Sequence, residues 1–262
     1  MKVASWNVNS LRARLGRVLD WLAREKPDVL CLQEIKAQEQ DFPATEIRAA
    51  GYHAAVYGQK SYNGVAVLAR EPLEDVALGF QGGPADPQAR LVAATVTGVR
   101  VMSAYIPNGA TVTDPKYSYK RAWLAQLQTQ LRTRRSPGTP LLLCGDFNIV
   151  HRAIDAATPA RWEGSVLFNP EMCAWMDELL ASGFVDTYRR QHPETRAYSW
   201  WDYRRLSFPN NDGLRIDYVL ATDELAARCR AAWMDRDERK GSKPSDHVPV
   251  VAEFDDWPSG RE

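Results

Sequence analysis

Apolar and polar residues alternate through residues 3–8, a period of two that predicts a short β-strand. Ser10 then stands as a helix cap, and Leu11, Leu15, Val18, Leu19 and Leu22 recur on one face of a helix that Pro27 stops. Residues 28–34 and 141–146 are apolar runs closed by a carboxylate, Glu34 in the first and Asp146 in the second. Such runs predict buried strands that carry an acid to the rim of a sheet. Further strands are predicted over residues 54–57, 64–68, 91–96, 99–105, 216–221 and 248–254, joined by turns containing Gly and Pro. Helical periodicity returns over residues 119–131 and 171–180. Strand-rich stretches separated by a few helices predict an α/β sandwich, two packed sheets with helices outside. No linker, repeat or low-complexity tract interrupts the pattern, so residues 1–262 are expected to form one domain.

A hydrophobic content of 45% suffices for a substantial core. Lys+Arg and Asp+Glu both total 33, so there is no basic excess of the kind that flags a nucleic-acid binder unaided. Acids gathered in a metal site and offset by Arg and Lys along a binding face would give the same balance. Cys31, Cys144, Cys173 and Cys229 show no CxxC spacing and read as free thiols of a reducing compartment, not a disulfide frame or a zinc site. The chain enters its first strand without a hydrophobic signal core, and its apolar runs are too short to span a bilayer. A cytoplasmic location without membrane attachment is therefore expected.

Glu34, Asp146, Asp217 and Asp246 all fall at predicted strand ends. One such acid is ordinarily a turn, a cap or a surface charge; four together suggest oxygen ligands for a hard cation such as Mg²⁺. Asp146 and Asn148, two residues apart, can reach one phosphate or metal if the backbone turns after the strand. Asp246 and His247 put an acid beside an imidazole at the start of the last strand, and Asp217 is a candidate to fix the imidazole tautomer. No Ser or Cys sits in a nucleophile motif, so water is the expected attacker.

Six blocks, Ser5-Trp6-Asn7-Val8-Asn9, Leu32-Gln33-Glu34, Tyr105-Ile106-Pro107-Asn108, Gly145-Asp146-Phe147-Asn148, Leu214-Arg215-Ile216-Asp217-Tyr218 and Ser245-Asp246-His247, occur in an order that resembles the endonuclease/exonuclease/phosphatase superfamily. The likeness spans nearly the whole chain. Phe42-Pro43, Tyr57-Gly58-Gln59-Lys60, Asn63-Gly64-Val65-Ala66, the segment from Tyr198 to Arg204 and Gly213-Leu214-Arg215-Ile216-Asp217 are similar to its exonuclease III and abasic endonuclease branch.

This resemblance implies a four-layered α/β sandwich, two mainly antiparallel or mixed sheets flanked by helices. It implies that Glu34 is the principal metal ligand with Asn7 next to it, Asp246 serving a second or alternative position, and Asp146, Asn148 and His247 bordering the same centre. Asp146 would orient or activate the attacking water, or help protonate the leaving oxygen. Tyr105, Asn108 and Asn148 would hold the scissile phosphate, and His247, oriented by Asp217, would stabilise its charge. Trp200, Trp201 and Leu214 match positions lining the pocket for a flipped-out, base-less sugar, although paired tryptophans are by default packing residues. Lys116 is expected to contact phosphate, as are Lys36, Lys120, Arg204, Arg205, Lys240 and Lys243. Residues 132–135 read as a solvated helix end, and His53, His151 and His192 as surface or turn residues.

The implied activity is a Mg²⁺- or Mn²⁺-dependent DNA phosphodiesterase of base excision repair. It would cut 5′ to abasic sites, or act as a 3′-5′ exonuclease and 3′-phosphatase on duplex DNA, as a monomer. Phosphoryl transfer needs positioning and charge stabilisation more than covalent help, and an abasic nucleotide is cheap to extrude because no pairing is broken. Two other readings stand beside it: a phosphatase or phospholipase of the same superfamily, and a catalytically silent DNA-binding module. Residues 149–162 keep only part of the branch pattern, which bears on substrate preference more than on chemistry.

Overall fold

The computed structural model describes residues 1–134 and 138–255; Arg135, at the expected helix end, lies outside the described residues. Among the described residues, twelve strands form two six-stranded sheets. The first runs in the order β11 (Cys229–Met234), β12 (Val250–Phe254), β1 (Lys2–Asn7), β2 (Val29–Gln33), β4 (Val65–Ala69) and β3 (His53–Tyr57). The second runs β5 (Glu74–Leu78), β6 (Leu91–Val96), β7 (Val99–Tyr105), β8 (Leu141–Asp146), β10 (Asp217–Thr222) and β9 (Phe184–Asp186). The main helices are α1 (Leu11–Glu25), α2 (Ala44–Ala49), α3 (Pro115–Arg134) and α5 (Pro170–Ala181), with short α4 (Pro159–Trp162), α6 (Thr187–Gln191) and α7 (Asp223–Ala226).

Strand periodicity sorts the side chains into layers. Val3, Val29 and Cys31 of the first sheet meet Val99, Val101, Leu142, Cys144 and Val219 of the second in one buried cluster between the sheets. Their neighbours Ala4, Trp6, Leu30 and Leu32 turn the other way, onto Leu11, Val18, Trp21 and Leu22 of α1 and Ile47 of α2. On the far side, Met102, Leu143 and Leu220 pack against Trp123, Leu124 and Leu127 of α3 and Trp175, Met176 and Leu179 of α5. Helix, sheet, sheet and helix thus make four layers, and both sheets mix parallel with antiparallel pairs.

Four departures from the expected elements have local causes. Strand β5 carries Glu74 and Asp75 and is largely exposed, because as an edge strand it pairs only with β6 and shows no apolar alternation. Helix α3 begins four residues earlier than its apolar pattern; Pro115 suits a helix start, and the Asp114 carboxylate accepts from the Lys116 N–H at 2.8 Å. Strand β10 starts at Asp217, a residue later than expected, and β12 starts at Val250, leaving Asp246 and His247 in the preceding loop. Lys120 falls within the expected helix, on α3, and has no exposed surface.

The four cysteines are free, with Cys173 partly exposed and the others buried. No helix among the described residues is long and apolar enough to cross a membrane.

Candidate active site

The topology gathers distant residues at one rim. Strands β1 and β2 are parallel, so their C-terminal ends share that rim, where Asn7 and Glu34 lie. Strands β7 and β8 are also parallel, with Tyr105 and Asp146 as register partners at their last positions. Strand β10 runs against β8, so its first residue, Asp217, pairs with Asp146, and β12 runs against β1, which brings the loop holding His247 to the same end. Asn7, Tyr105, Asp146 and Asp217 continue the inward-facing sets of their strands. Polar side chains lie one step deeper. Gln33 Nε2 donates across the sandwich to Ser103 Oγ at 3.0 Å, and Ser103 Oγ donates to the Leu32 carbonyl at 3.1 Å.

Two backbone features aim the acids. Glu34 adopts a left-handed φ of +49°, which turns its carboxylate out of the strand alternation. Gly145 lies so close to β7 that a Cβ would stand 1.9 Å from the Ala104 carbonyl oxygen, so only glycine fits before Asp146.

Asn7 is buried, and its Nδ2 donates to both acids, to Glu34 Oε1 and Asp146 Oδ2 at 2.9 Å each. Tyr105 Oη donates to Glu34 Oε1 at 2.9 Å, and Lys36 Nζ lies 2.9 Å from Glu34 Oε2. Asp217 Oδ2 accepts from Ser199 Oγ at 2.6 Å and lies 2.9 Å from His247 Nδ1, while His247 Nε2 lies 3.7 Å from Asp146 Oδ2. Asn108 Nδ2 donates to Asn148 Oδ1 at 2.9 Å, Asn148 Nδ2 to the Ile106 carbonyl at 3.0 Å, and the Asn148 N–H to Asp146 Oδ1 at 2.9 Å. One atom each from Glu34, Asp146 and His247 falls within 4.8 Å of the other two, a spacing at which a single ion can be held.

Burial works to raise the Glu34 pKa, but the Asn7 amide and the Lys36 ammonium outweigh it and hold the carboxyl below its ordinary value. Burial raises Asp146 to about 7, aided by Asp217 and Glu34 and opposed by His247. Burial alone would lower His247, yet Asp217 and Asp146 raise it to about 10, so it is an imidazolium at neutral pH. Burial, with Glu34 and Asp146 nearby, pushes the Tyr105 phenol well up and keeps it a donor.

Asp246 stands apart from this group. Its Oδ1 accepts from Asn9 Nδ2 and its Oδ2 from Trp200 Nε1, both at 3.0 Å. Burial raises its pKa, but the His247 charge and those two bonds bring it below the ordinary value. Trp200 is half-buried and meets Trp162 edge-on, with ring centroids 6.0 Å apart. Trp201 and Leu214 are fully buried; Trp201 packs against Tyr198 and Phe208, so these two support the wall from behind.

Lys116 is exposed at the start of α3. Buried Lys120 presents no charge to a ligand, and this corrects its expected phosphate contact. Its ammonium donates to the carbonyls of Asn148 and Val166 at 2.7 Å and of Asn108 at 3.3 Å. Burial pulls its pKa down to about 7, against the charge of Asp146. Arg204 and Lys240 are exposed and paired with Asp202 and Asp237; Arg205 and Lys243 are exposed. Sequence reasoning gave no role to Asn9, Ser199 or Ser245. Asn9 Oδ1 accepts from Lys36 Nζ at 2.6 Å, and Ser245 Oγ donates to the Asn7 carbonyl at 2.7 Å. For all three, membership of the matched segments was the available signal.

Comparison with known proteins agrees with this geometry. Residues 4–247 match the model of the Endonuclease/Exonuclease/phosphatase family. Exodeoxyribonuclease III of Haemophilus influenzae is 35% identical over 97% of this chain and 100% of its own length. An AP endonuclease structure from Archaeoglobus fulgidus superposes with a TM-score of 0.94 at 38% identity, covering 97% of this chain and 99% of that one. The 3′ phosphatase NExo from Neisseria, bound to product DNA hairpin, gives 0.95 at 41% identity with the same coverage. The chain belongs to the endonuclease/exonuclease/phosphatase family, in the branch of exodeoxyribonuclease III and the AP endonucleases.

Proposed function

We propose that this chain is a divalent-metal-dependent hydrolase of DNA phosphodiesters, acting 5′ to abasic sites and at the 3′ ends of duplex DNA. The observation that carries the reading is the convergence of Glu34, Asp146 and His247 within 4.8 Å at a rim lined by amide and phenol donors. The named activities of the relatives support the substrate class. The family match over residues 4–247 supports treating the whole chain as one catalytic unit, which we take to act as an intracellular monomer.

Carboxylate and amide oxygens suit a hard cation, Mg²⁺ or Mn²⁺. Glu34, kept anionic by Asn7 and Lys36, would be the principal ligand, with Asn7 beside it and Asp246 available to a second or alternative position. When bound, the metal would supply positive charge to the scissile phosphate. Asn108, Asn148 and Tyr105 hold the phosphate oxygens. His247, kept cationic by Asp217, faces the charge that grows on phosphorus-bound oxygen, acting as a cation in place of a ligand. Asp146, with a pKa of about 7, exchanges a proton near neutral pH and so can take one from the attacking water. That proton is then available to the leaving 3′ oxygen. Trp200 and Trp162 offer an aromatic wall for a sugar without a base.

Comparing initial rates on duplexes carrying one abasic analogue, one 3′-phosphate or no lesion, with Mg²⁺, Mn²⁺ or chelator, tests the proposal. Metal-dependent turnover on the first two is expected. Preferential hydrolysis of an inositol phosphate or a lipid headgroup would reverse the choice of substrate.

A further inference from the structure

Trp162 and Trp200 come from two chain segments that meet beside the rim, residues 149–162 and 199–214. The base of the first segment is tied to the second by backbone and buried charge. The Ala157 N–H donates to the Gly213 carbonyl at 3.0 Å, and the Arg215 N–H to the Asp155 carbonyl at 2.8 Å. The buried Asp155 carboxylate accepts from Arg215 Nε at 2.7 Å and from Arg189, while Arg215 Nη1 donates to Asp186 Oδ2 at 2.7 Å. Single β-bridges join Ala156 to Leu214, Leu214 to Trp200 and Trp200 to His247, so this base shares one backbone frame with the loop that bears the imidazole.

The tip of the segment has no such frame. Helix α4 is one turn long, and none of its residues is fully buried. A single turn has no stability of its own, so lateral contacts must keep Trp162 in place. Its neighbour Arg161 puts Nη1 2.6 Å from Asp212 Oδ2, on the segment leading to Leu214, and Thr158 Oγ1 donates to Asp212 Oδ1 at 3.4 Å. Asp212 is itself fixed, its N–H donating to the Ser207 carbonyl at 2.8 Å. The Arg161 guanidinium lies 5.7 Å from the Trp162 ring centroid, and Trp162 meets Trp200 edge-on at 6.0 Å. Among the described residues, neither Arg161 nor Asp212 has another ion-pair partner.

We infer that the Arg161–Asp212 pair is a latch that holds Trp162 against Trp200 and so favours a base-less sugar over a bare 3′ end; both are positioning residues. The inference rests on the DNA-cleaving reading above and adds to it a determinant of choice between its two substrates. A 3′-phosphate offers the same P–O3′ bond as an abasic site but no sugar beyond it, so only the abasic substrate uses the aromatic wall. Each substrate therefore serves as the reference for the other.

The test measures kcat/KM on an abasic-analogue duplex and on a 3′-phosphate duplex for wild type, Arg161→Gln, Asp212→Asn and the exchange of Arg161→Asp with Asp212→Arg. The abasic to 3′-phosphate ratio is expected to fall by about two- to fivefold in both single variants, the range a partly exposed ion pair supplies. It is expected to return toward wild type in the exchange, whose reversed pair has the same combined length. Loss of a cation and loss of an anion then act in the same direction, whereas plain attraction of DNA would move the two variants oppositely or not at all. The two side chains are 41% and 28% exposed, so neither single change leaves a buried charge unpaired. Ratios that move in opposite directions, stay at the wild-type value, or remain lowered in the exchange would overturn the latch with DNA cleavage intact. Failure of wild type to cut either duplex would remove the reading itself, and the latch with it.

Discussion

Asp146 and Asp217 are register partners across the β8–β10 ladder, and the two nitrogens of His247 lie 3.7 and 2.9 Å from their respective carboxylates. Two acids and one imidazolium in a buried space share charge unequally. Asp217 is bonded by Ser199 as well as His247, whereas Asp146 is raised to about 7. One acid holds the cation and the other is free to exchange a proton.

If His247 acts through the charge that Asp217 confers, Asp217→Asn should lower kcat by about two orders of magnitude or more, with little change in KM for DNA. The imidazole pKa, followed by the NMR shift of its ring protons, should fall from about 10 toward its ordinary 6.5. A near-normal kcat with a lowered imidazole pKa would separate His247 charge from catalysis.

The metal-free protein should become less stable between pH 5 and 7. Asp146 stands at about 7 against an ordinary 3.8, and His247 at about 10 against 6.5. Both hold protons in the folded state that the unfolded chain releases, so their stabilisation is complete at low pH and fades as pH rises through these intervals. Lys120, lowered to about 7 from 10.5, works in the opposite sense only above pH 7. Thermal melts in chelator should show Tm falling across the window, with a flatter profile in Asp146→Asn. A Tm that rises, or an unchanged slope in the variant, would contradict this.

Gly145→Ala should be severe, because its new Cβ would stand 1.9 Å from a backbone oxygen of β7, which no side-chain movement relieves. The strain should cost more than about 3 kcal/mol in urea unfolding. Near-wild-type stability would mean that the two strands separate more easily than their packing indicates.

Lys120→Met should affect stability and catalysis together. The ammonium joins the loops that carry Asn108 and Asn148, and removing it leaves three carbonyls without their donor. A loss of about 2–4 kcal/mol is expected, with kcat falling more than KM rises because the asparagines proposed to hold the phosphate lose their support. Lys120→Arg should recover little, since a planar guanidinium does not match three converging acceptors. Wild-type kcat in Lys120→Met would limit the residue to a structural role.

Much of the frame was legible in the sequence because inward-facing positions repeat every second residue. The runs ending in Glu34 and Asp146 announced both strand and direction; parallel pairing puts Asn7 at the rim with Glu34 and Tyr105 at the rim with Asp146, and the packing of the two sheets brings these pairs together. Strand β5 escaped notice because an edge strand with charged residues has no buried face to impose a pattern. Lys120 was misread for a related reason: composition suggests a solvated cation, and only the folded loops reveal three carbonyls waiting for it. Trp201 and Leu214 are buried behind Trp200, a distinction that a run of aromatic residues cannot express.

Single-turnover cleavage of a duplex containing one abasic analogue, followed while Mg²⁺ is titrated into wild type and Glu34→Gln, bears on whether the rim cluster is a metal-dependent catalytic centre. Wild type should turn over only with added metal and stop with chelator. Glu34→Gln should be slower by about three orders of magnitude and need far more Mg²⁺. Cleavage that persists in chelator, or a Glu34→Gln protein that cuts at nearly the wild-type rate, would contradict it.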